Sequence, residues 1–244
     1  GHRLHRREPR LPRVPPGKIP PRITVAQFLD LTTNKVAKLP NLSQQRLRRI
    51  LLNENALASC EGFLGHDHLL HLEIKKNRLI TCAGLANMPA LLELHLAENE
   101  IASLKGLHNL PALRKLDLNT NKIDALKDLP TLPALEYLDL GANVIEQPND
   151  GGVAALAIYR NLKTVILAGN PFADNLGDGL KKEVLLHMSV KMVNDEEVTP
   201  EDIEEVNELR KQREQEAKEA AEAAAEAARA AAEAEKEGAP AEDE

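Results

Sequence analysis

Apolar residues recur through the middle of the chain at fixed distances from an asparagine. Aligned on that residue there are seven units, at Asn34, Asn55, Asn77, Asn99, Asn121, Asn143 and Asn170, spaced by 21, 22, 22, 22, 22 and 27 residues. Five residues before each stands Leu29, Ile50, Leu72, Leu94, Leu116, Leu138 or Val165, and three before stands Leu31, Leu52, Ile74, Leu96, Leu118, Leu140 or Leu167. Two after stands Val36, Leu57, Leu79, Ile101, Ile123, Ile145 or Phe172. Every such slot is apolar in every unit, whereas the slots six and four before the asparagine are mostly polar. This period-two alternation predicts a short strand with one buried face in each unit. The remainder of each unit is too short for a long helix. Leu104, Leu107 and Leu110, like Cys82, Leu85 and Met88, keep a three-residue spacing that predicts 3₁₀ or irregular turns. "PAL" at Pro89, Pro111 and Pro133 leads into the next strand with a fixed φ.

The pattern L-x-x-L-x-L-x-x-N-x-L is the signature of leucine-rich repeats. One unit cannot bury its own leucines, but stacked units share a continuous aliphatic core. The expected fold is an α/β solenoid, a leucine-rich-repeat horseshoe whose concave side is a parallel sheet of about seven short strands. Each asparagine stands where the chain leaves the strand, and an amide offers two donors and an acceptor to backbone groups buried inside the coil. A ladder of asparagines bonding their own and the neighbouring coil is expected, with a cost of roughly 1–3 kcal/mol for removing one rung. The longer gap between Asn143 and Asn170, marked by Pro148, Gly151 and Gly152, reads as an inserted loop.

After the last unit, "LKKEVLLHM" predicts a cap helix around residues 181–188, with Val184, Leu185 and Met188 closing the open coil. Thr199-Pro200-Glu201-Asp202 then reads as a helix start: N-cap, proline at the first position, acids in the first turn. The helix should run to Gly238, about 57 Å at 1.5 Å per residue. Ile203, Val206 and Leu209 offer it an apolar side. Beyond Leu209 only Ala, Glu, Lys, Arg and Gln carry it, good helix formers without a coiled-coil seam.

Composition sharpens this picture in three ways. Aromatics are 2% of 244 residues and tryptophan is absent, so the core is aliphatic. Net charge is -7, but residues 1–24 hold seven Lys/Arg and six prolines against Glu8, while residues 195–244 hold nineteen acids against six bases. A basic Pro-rich extended arm (1–24), a neutral repeat body with its cap (25–198) and an Ala/Glu-rich helical tail (199–244) follow as separate parts. The arm suits an acidic protein partner; without interleaved aromatics no direct nucleic-acid binding is expected. Cys60 and Cys82 share one slot in adjacent units and read as small core residues rather than a disulfide or zinc site. With no long apolar run and no secretory h-region, the reading is a soluble intracellular protein.

The outward strand slots supply the candidate partner-binding face: Arg49, His71, Glu73, Glu93, His95, Lys115, Asp117, Tyr137 and Asp139. His71, Glu73, Glu93 and His95 form a two-by-two checkerboard that could chelate a divalent metal. A solvated polar patch is the reading the residues favour. No nucleophile, Gly-rich phosphate loop or catalytic triad accompanies them, so neither a catalytic residue nor a cofactor or metal site is assigned.

The uniform units, with Gly84-Leu85 and Gly106-Leu107, resemble the 22-residue, phosphatase-regulator type of leucine-rich repeat. From Leu162 onward, "LKTVILAGNPFAD", "LKKEVLLHM" and "VNDEEVTPEDIEEVNELRKQREQE" resemble the axonemal radial-spoke leucine-rich-repeat family of cilia and flagella. That resemblance implies a non-enzymatic scaffold, a monomer within a hetero-complex of axonemal and radial-spoke proteins. It also implies a place in the cytoplasm and cytoskeleton, at the ciliary axoneme, with no membrane contact. The alternative is a regulatory subunit docking a protein phosphatase on the concave face. Where the family's cap usually has an "LDG"-like turn, Met192-Val193-Asn194-Asp195 stands here.

Overall fold

The computed structural model describes residues 27–39, 42, 46–127, 129–146 and 152–237, with side chains in the last helix as far as residue 224. The basic arm and the Pro148–Gly151 part of the insertion lie outside these residues. The chain divides into two units, Gly1–Glu197 and Val198–Glu244.

In the first unit each repeat contributes one three-residue strand: β1 Phe28–Asp30, β2 Arg49–Leu51, β3 His71–Glu73, β4 Glu93–His95, β5 Lys115–Asp117, β6 Tyr137–Asp139 and β7 Thr164–Ile166. These are the slots six, five and four before each asparagine. Every strand pairs in parallel with the next, in register slot for slot, as Arg49↔His71 and Lys115↔Tyr137 show. The central residue of each strand is buried, so the flanking two point away from the core. The expected parallel solenoid is therefore present. Among the described residues its regular coils carry no helix on the far side. Instead, single i→i+3 turns such as Cys82 to Leu85 and Leu104 to Leu107 fold the chain back, and Cys82, Leu85, Leu104 and Leu107 are buried. Pro89, Pro111 and Pro133 each follow the first residue of such a turn, where their φ fits.

Among the described residues the sheet has nine strands, the expected seven of the repeats and two more from the cap. β8, Met192–Val193, pairs in parallel with β7, and β9, Glu196–Glu197, folds back antiparallel on β8. Asn194 makes the turn with φ 53°, a conformation asparagine tolerates. Its Oδ1 accepts from the Leu167 N–H at 2.8 Å and the Ala168 N–H at 3.1 Å. A side-chain carbonyl thus serves the edge where no further coil supplies one. The two exposed glutamates of β9 then blunt that edge.

α1, Pro171–Leu176, and α2, Leu180–His187, bury Phe172, Leu180, Val184 and Leu185, while Met188 is half-buried. The insertion is not only a loop. Residues Val153–Ile158 form a 3₁₀ helix that buries Val153 and Leu156 and lies against α2, and Tyr159 donates its hydroxyl to the Pro130 carbonyl at 3.1 Å. Its apolar residues therefore enlarge the core under the cap.

The second unit holds α3, Pro200–Glu237, a helix of 38 residues. Thr199 caps it: Asp202 N–H donates to Thr199 Oγ1 at 3.2 Å, and the Thr199 N–H donates back to Asp202 Oδ2 at 2.7 Å. Ile203 is exposed, and of the side chains from residue 207 to 224 only Leu209 is not. Intrinsic propensity and i,i+4 pairs such as Gln215–Glu219 sustain it. Among the described residues no helix is long and apolar enough to cross a membrane.

Candidate functional site

The outward face of the sheet is set by the turn that follows each strand. One residue before every ladder asparagine the backbone is left-handed: Thr33, Glu54, Lys76, Glu98, Thr120, Ala142 and Gly169 all have positive φ. Six of the seven are not glycine, at about 1–2 kcal/mol each. What offsets this is bonding between coils, since the N–H of Glu54 meets the Lys75 carbonyl at 2.9 Å and that of Lys76 the Ala97 carbonyl at 3.0 Å. The same twist turns the asparagine inward. Asn99 Nδ2 donates to the Leu96 carbonyl of its own coil at 2.9 Å and to the Ile74 carbonyl of the preceding coil at 2.8 Å. Its Oδ1 accepts from the Leu79 N–H at 3.1 Å. Asn55, Asn77, Asn121, Asn143 and Asn170 repeat this pattern. Asn34, with no preceding described coil, is exposed and among the described residues bonds only within its own coil. Asn170 stands before Pro171 at the start of α1, yet its amide serves the ladder and makes no helix cap.

The polar slots form three rows across the face. The row six before the asparagine runs Phe28, Arg49, His71, Glu93, Lys115, Tyr137, Thr164 and continues into Met192; the row four before runs Asp30, Leu51, Glu73, His95, Asp117, Asp139, Ile166. A third row, two before, includes Asn53, Lys75 and Asn119. Neighbouring rungs pair their side chains. Arg49 holds Glu73 at 2.8 Å, and Asn53 Nδ2 donates to the same carboxylate at 3.0 Å. Glu93 lies 3.3 Å from His71 Nδ1 and 3.4 Å from His95 Nε2. His95 Nδ1 reaches Asp117 at 3.1 Å, and Lys75 reaches Asp117 at 3.2 Å. Within the checkerboard Glu93 thus lies between the two imidazoles. Glu73 turns toward Arg49 and Asn53, and among the described residues no group of three or more His, Cys, Asp or Glu could hold a metal ion.

Two aspartates of the face sit in opposed environments. Burial alone would raise the Asp117 carboxyl, but hydrogen bonds from His95 and the Asn119 N–H, with Lys75, outweigh it and lower its pKa. At Asp139 burial again comes first. The Gly141 N–H, Asn119 and the Tyr137 hydroxyl do not offset burial and the Asp117 charge, and the pKa is raised. Tyr137 is pushed up to about 12, by burial and then by the charges of Asp139 and Asp117. The stability effects have opposite signs. Asp117, depressed by folding, contributes stability above the ordinary aspartate pKa of about 3.9, and this is lost as pH falls through the folded value. Asp139 costs stability at neutral pH and returns it on taking up a proton. Asp117→Asn should therefore cost about 1.5–3 kcal/mol at pH 7, and Asp139→Asn should leave the thermal midpoint unchanged or higher. Equal losses in the two variants would show that the environments do not differ.

Several face residues escape a search of the strand slots alone. Asn53 and Asn119 are reached from the third row: Asn53 Oδ1 accepts from the Lys75 N–H at 2.9 Å, and Asn119 Nδ2 donates to Asp139 at 3.3 Å. Their signal is Asn-x-Asn, an asparagine two before the ladder asparagine, present only in these two coils. Met192 joins the face through the cap hairpin, without the repeat frame to announce it. On the other side of the core Cys60 and Cys82 are free, and burial pushes both thiols up to about 12, which keeps them protonated and inert at neutral pH.

Residues 89–131 match the family model for Leucine Rich repeats (2 copies), a span that includes β4 and β5. With the stacked parallel strands this supports a leucine-rich-repeat protein, a module that commonly mediates protein–protein interaction. Comparison with curated proteins found no match.

Proposed function

We propose that the protein is a non-enzymatic scaffold or adaptor of the ciliary and flagellar axoneme, within a radial spoke. The sequence from Leu162 through the charged helix carries this reading, because its cap and tail resemble that axonemal family. A three-part layout of basic arm, repeat body and acidic helical tail suits a component that holds several neighbours at once. The outward face of β1–β7 is the docking surface in this reading. It is charged but largely self-paired, so a partner meets organised side chains without first stripping many isolated ions of water. The direct test is to tag the protein in ciliated cells, isolate the cilia, and extract them with detergent and then with salt. Retention in the axonemal fraction through both steps is expected; recovery in the detergent-soluble or cytosolic fraction overturns the axonemal assignment.

A second reading, a regulatory subunit that docks a protein phosphatase, draws on Phe28, Tyr137, Asp117 and Asp139, which lie on the same face. It places one catalytic subunit across the sheet and leaves arm and tail free. Co-purification of phosphatase activity with the full chain, lost when Tyr137 is replaced by Ala, would favour it over the axonemal role.

A further inference from the structure

We propose that the part of the outward face around Asp139 seats a lysine or arginine from a segment of another protein, with apolar side chains on either side of that cation. The inference rests on the docking role given to this face above and specifies the chemistry of the partner.

The face pairs most of its own charges. Four carboxylates there are partly or fully buried. Glu73 meets Arg49, Glu93 meets two imidazoles, and Asp117 meets Lys75 and His95. Among the described residues Asp139 alone of these four has no basic side chain paired with it. It accepts the Gly141 N–H at 2.9 Å and the Asn119 amide at 3.3 Å, and it bonds the Tyr137 hydroxyl. The nearest lysine on the strand before is committed elsewhere: Lys115 Nζ stands 4.9 Å from the centre of the Tyr137 ring. Neutral donors hold Asp139 in one orientation while burial and the Asp117 charge disfavour its ionised form. An incoming cation would favour the ionised carboxylate against both, with an attraction less screened than at a fully solvated carboxylate.

The surroundings state what should flank that cation. Ile166 is the register partner of Asp139 on the next strand and is half-buried. In the adjoining row Tyr137 is followed by Thr164 and then Met192, whose side chain is 37% exposed. A carboxylate with Ile166 on the next strand and an aromatic ring on its own, and with Met192 two strands away, suits a basic side chain whose methylenes lie on apolar surface, followed by an apolar residue that reaches Met192. Elsewhere the face lacks this combination: Phe28 and Leu51 lie near Asp30, an exposed carboxylate that water already solvates.

Random twelve-residue peptides displayed on phage, selected on the full-length protein, resynthesised and titrated by fluorescence anisotropy, supply the test. The expected peptides carry Lys or Arg next to apolar residues and lose at least about tenfold in affinity, 1.4 kcal/mol, on Asp139→Asn. Asp30→Asn, the same charge change at the solvated end, should leave them unaffected, which separates the site from general attraction to the acidic tail. Met192→Lys, at an exposed position on a different strand, should weaken binding of the same peptides and leaves Asp139 and its strand unchanged. Peptides that respond to Glu93→Gln or Lys115→Glu but not to Asp139→Asn or Met192→Lys would overturn this inference and leave the docking face standing. Peptides indifferent to every substitution on the face would remove the docking reading itself, and this inference with it. Self-association in sedimentation that Asp139→Asn abolishes would place a second copy's basic N-terminal residues on the site and overturn the assignment to a different protein.

Discussion

Asn99→Ala should lower the stability of the repeat unit by about 2–4 kcal/mol, while Asn34→Ala should change it by less than about 0.5 kcal/mol. The two substitutions delete the same amide from the same slot. They differ in what is left behind. At coil 4 the Leu79 N–H loses its Asn99 acceptor at 3.1 Å, and the carbonyls of Ile74 and Leu96 lose donors at 2.8 and 2.9 Å, all in buried surroundings. At coil 1 Asn34 donates, among the described residues, only to Leu31 and Thr32 and is exposed, so water replaces it. Exposure falls along the ladder from Asn77 at 9% through Asn121 at 6% and Asn143 at 4% to Asn170 at 0%, and the cost should grow in that order. For a unit of this size a loss of about 2–4 kcal/mol moves the thermal midpoint by roughly 5–15 °C. Thermal unfolding of the six alanine variants checks it; equal, small shifts at Asn34 and Asn99 would mean that the ladder is not what holds neighbouring coils together.

Gly84→Ala should be at least as damaging, about 2–5 kcal/mol, from a single added methyl group. A Cβ at residue 84 would lie 2.0 Å from the Cys60 carbonyl oxygen and 2.4 Å from its carbon, both backbone atoms of the preceding coil. Neither can rotate away, so the turns opposite the sheet would have to separate. Residue 84 also has φ 88°, which disfavours any side chain there. Gly62→Ala offers the control: its φ of 94° carries the same backbone strain, but no atom lies within 4 Å of an added Cβ. The difference between the two variants in denaturant midpoint isolates the contact between coils. If both cost the same, close stacking of the turns contributes nothing beyond backbone conformation.

What could be read from the chain and what could not divides along physical lines. The strands, their register and the inward leucines follow from a slot pattern that repeats through every unit, because burial of alternate residues leaves a period in the sequence. The 38-residue helix was legible for a related reason: Thr199-Pro200-Glu201-Asp202 announces its start, and nothing after it interrupts a run of helix formers. The β8–β9 hairpin was not. Met192 and Val193 are too few to show alternation, and Asn194 works through a backbone conformation and a side-chain carbonyl instead of the leucine frame. The left-handed row before each asparagine was equally silent, since Thr, Glu, Lys and Ala carry no preference for positive φ and adopt it here because bonds between coils require it. On the outward face the sequence placed Glu73, His71, Glu93 and His95 on adjoining rungs. Which of them pair is decided by side-chain reach and by third-row residues, so Asn53 and Arg49 drawing Glu73 aside could not be read from the slots. The solitary position of Asp139 became visible only after those pairs were assigned.

The central claim is that the outward sheet face of the solenoid meets another protein. Its most direct measurement is crosslinking mass spectrometry on the endogenous protein in salt-washed cilia. Lys75 and Lys115 report that face, while Lys105 and Lys127 lie in the turns opposite it. Crosslinks from Lys75 and Lys115 to axonemal proteins, with Lys18 and Lys218 reaching further neighbours, are the predicted result. Intermolecular crosslinks confined to Lys105 and Lys127, with Lys75 and Lys115 modified only by hydrolysed reagent, would contradict it.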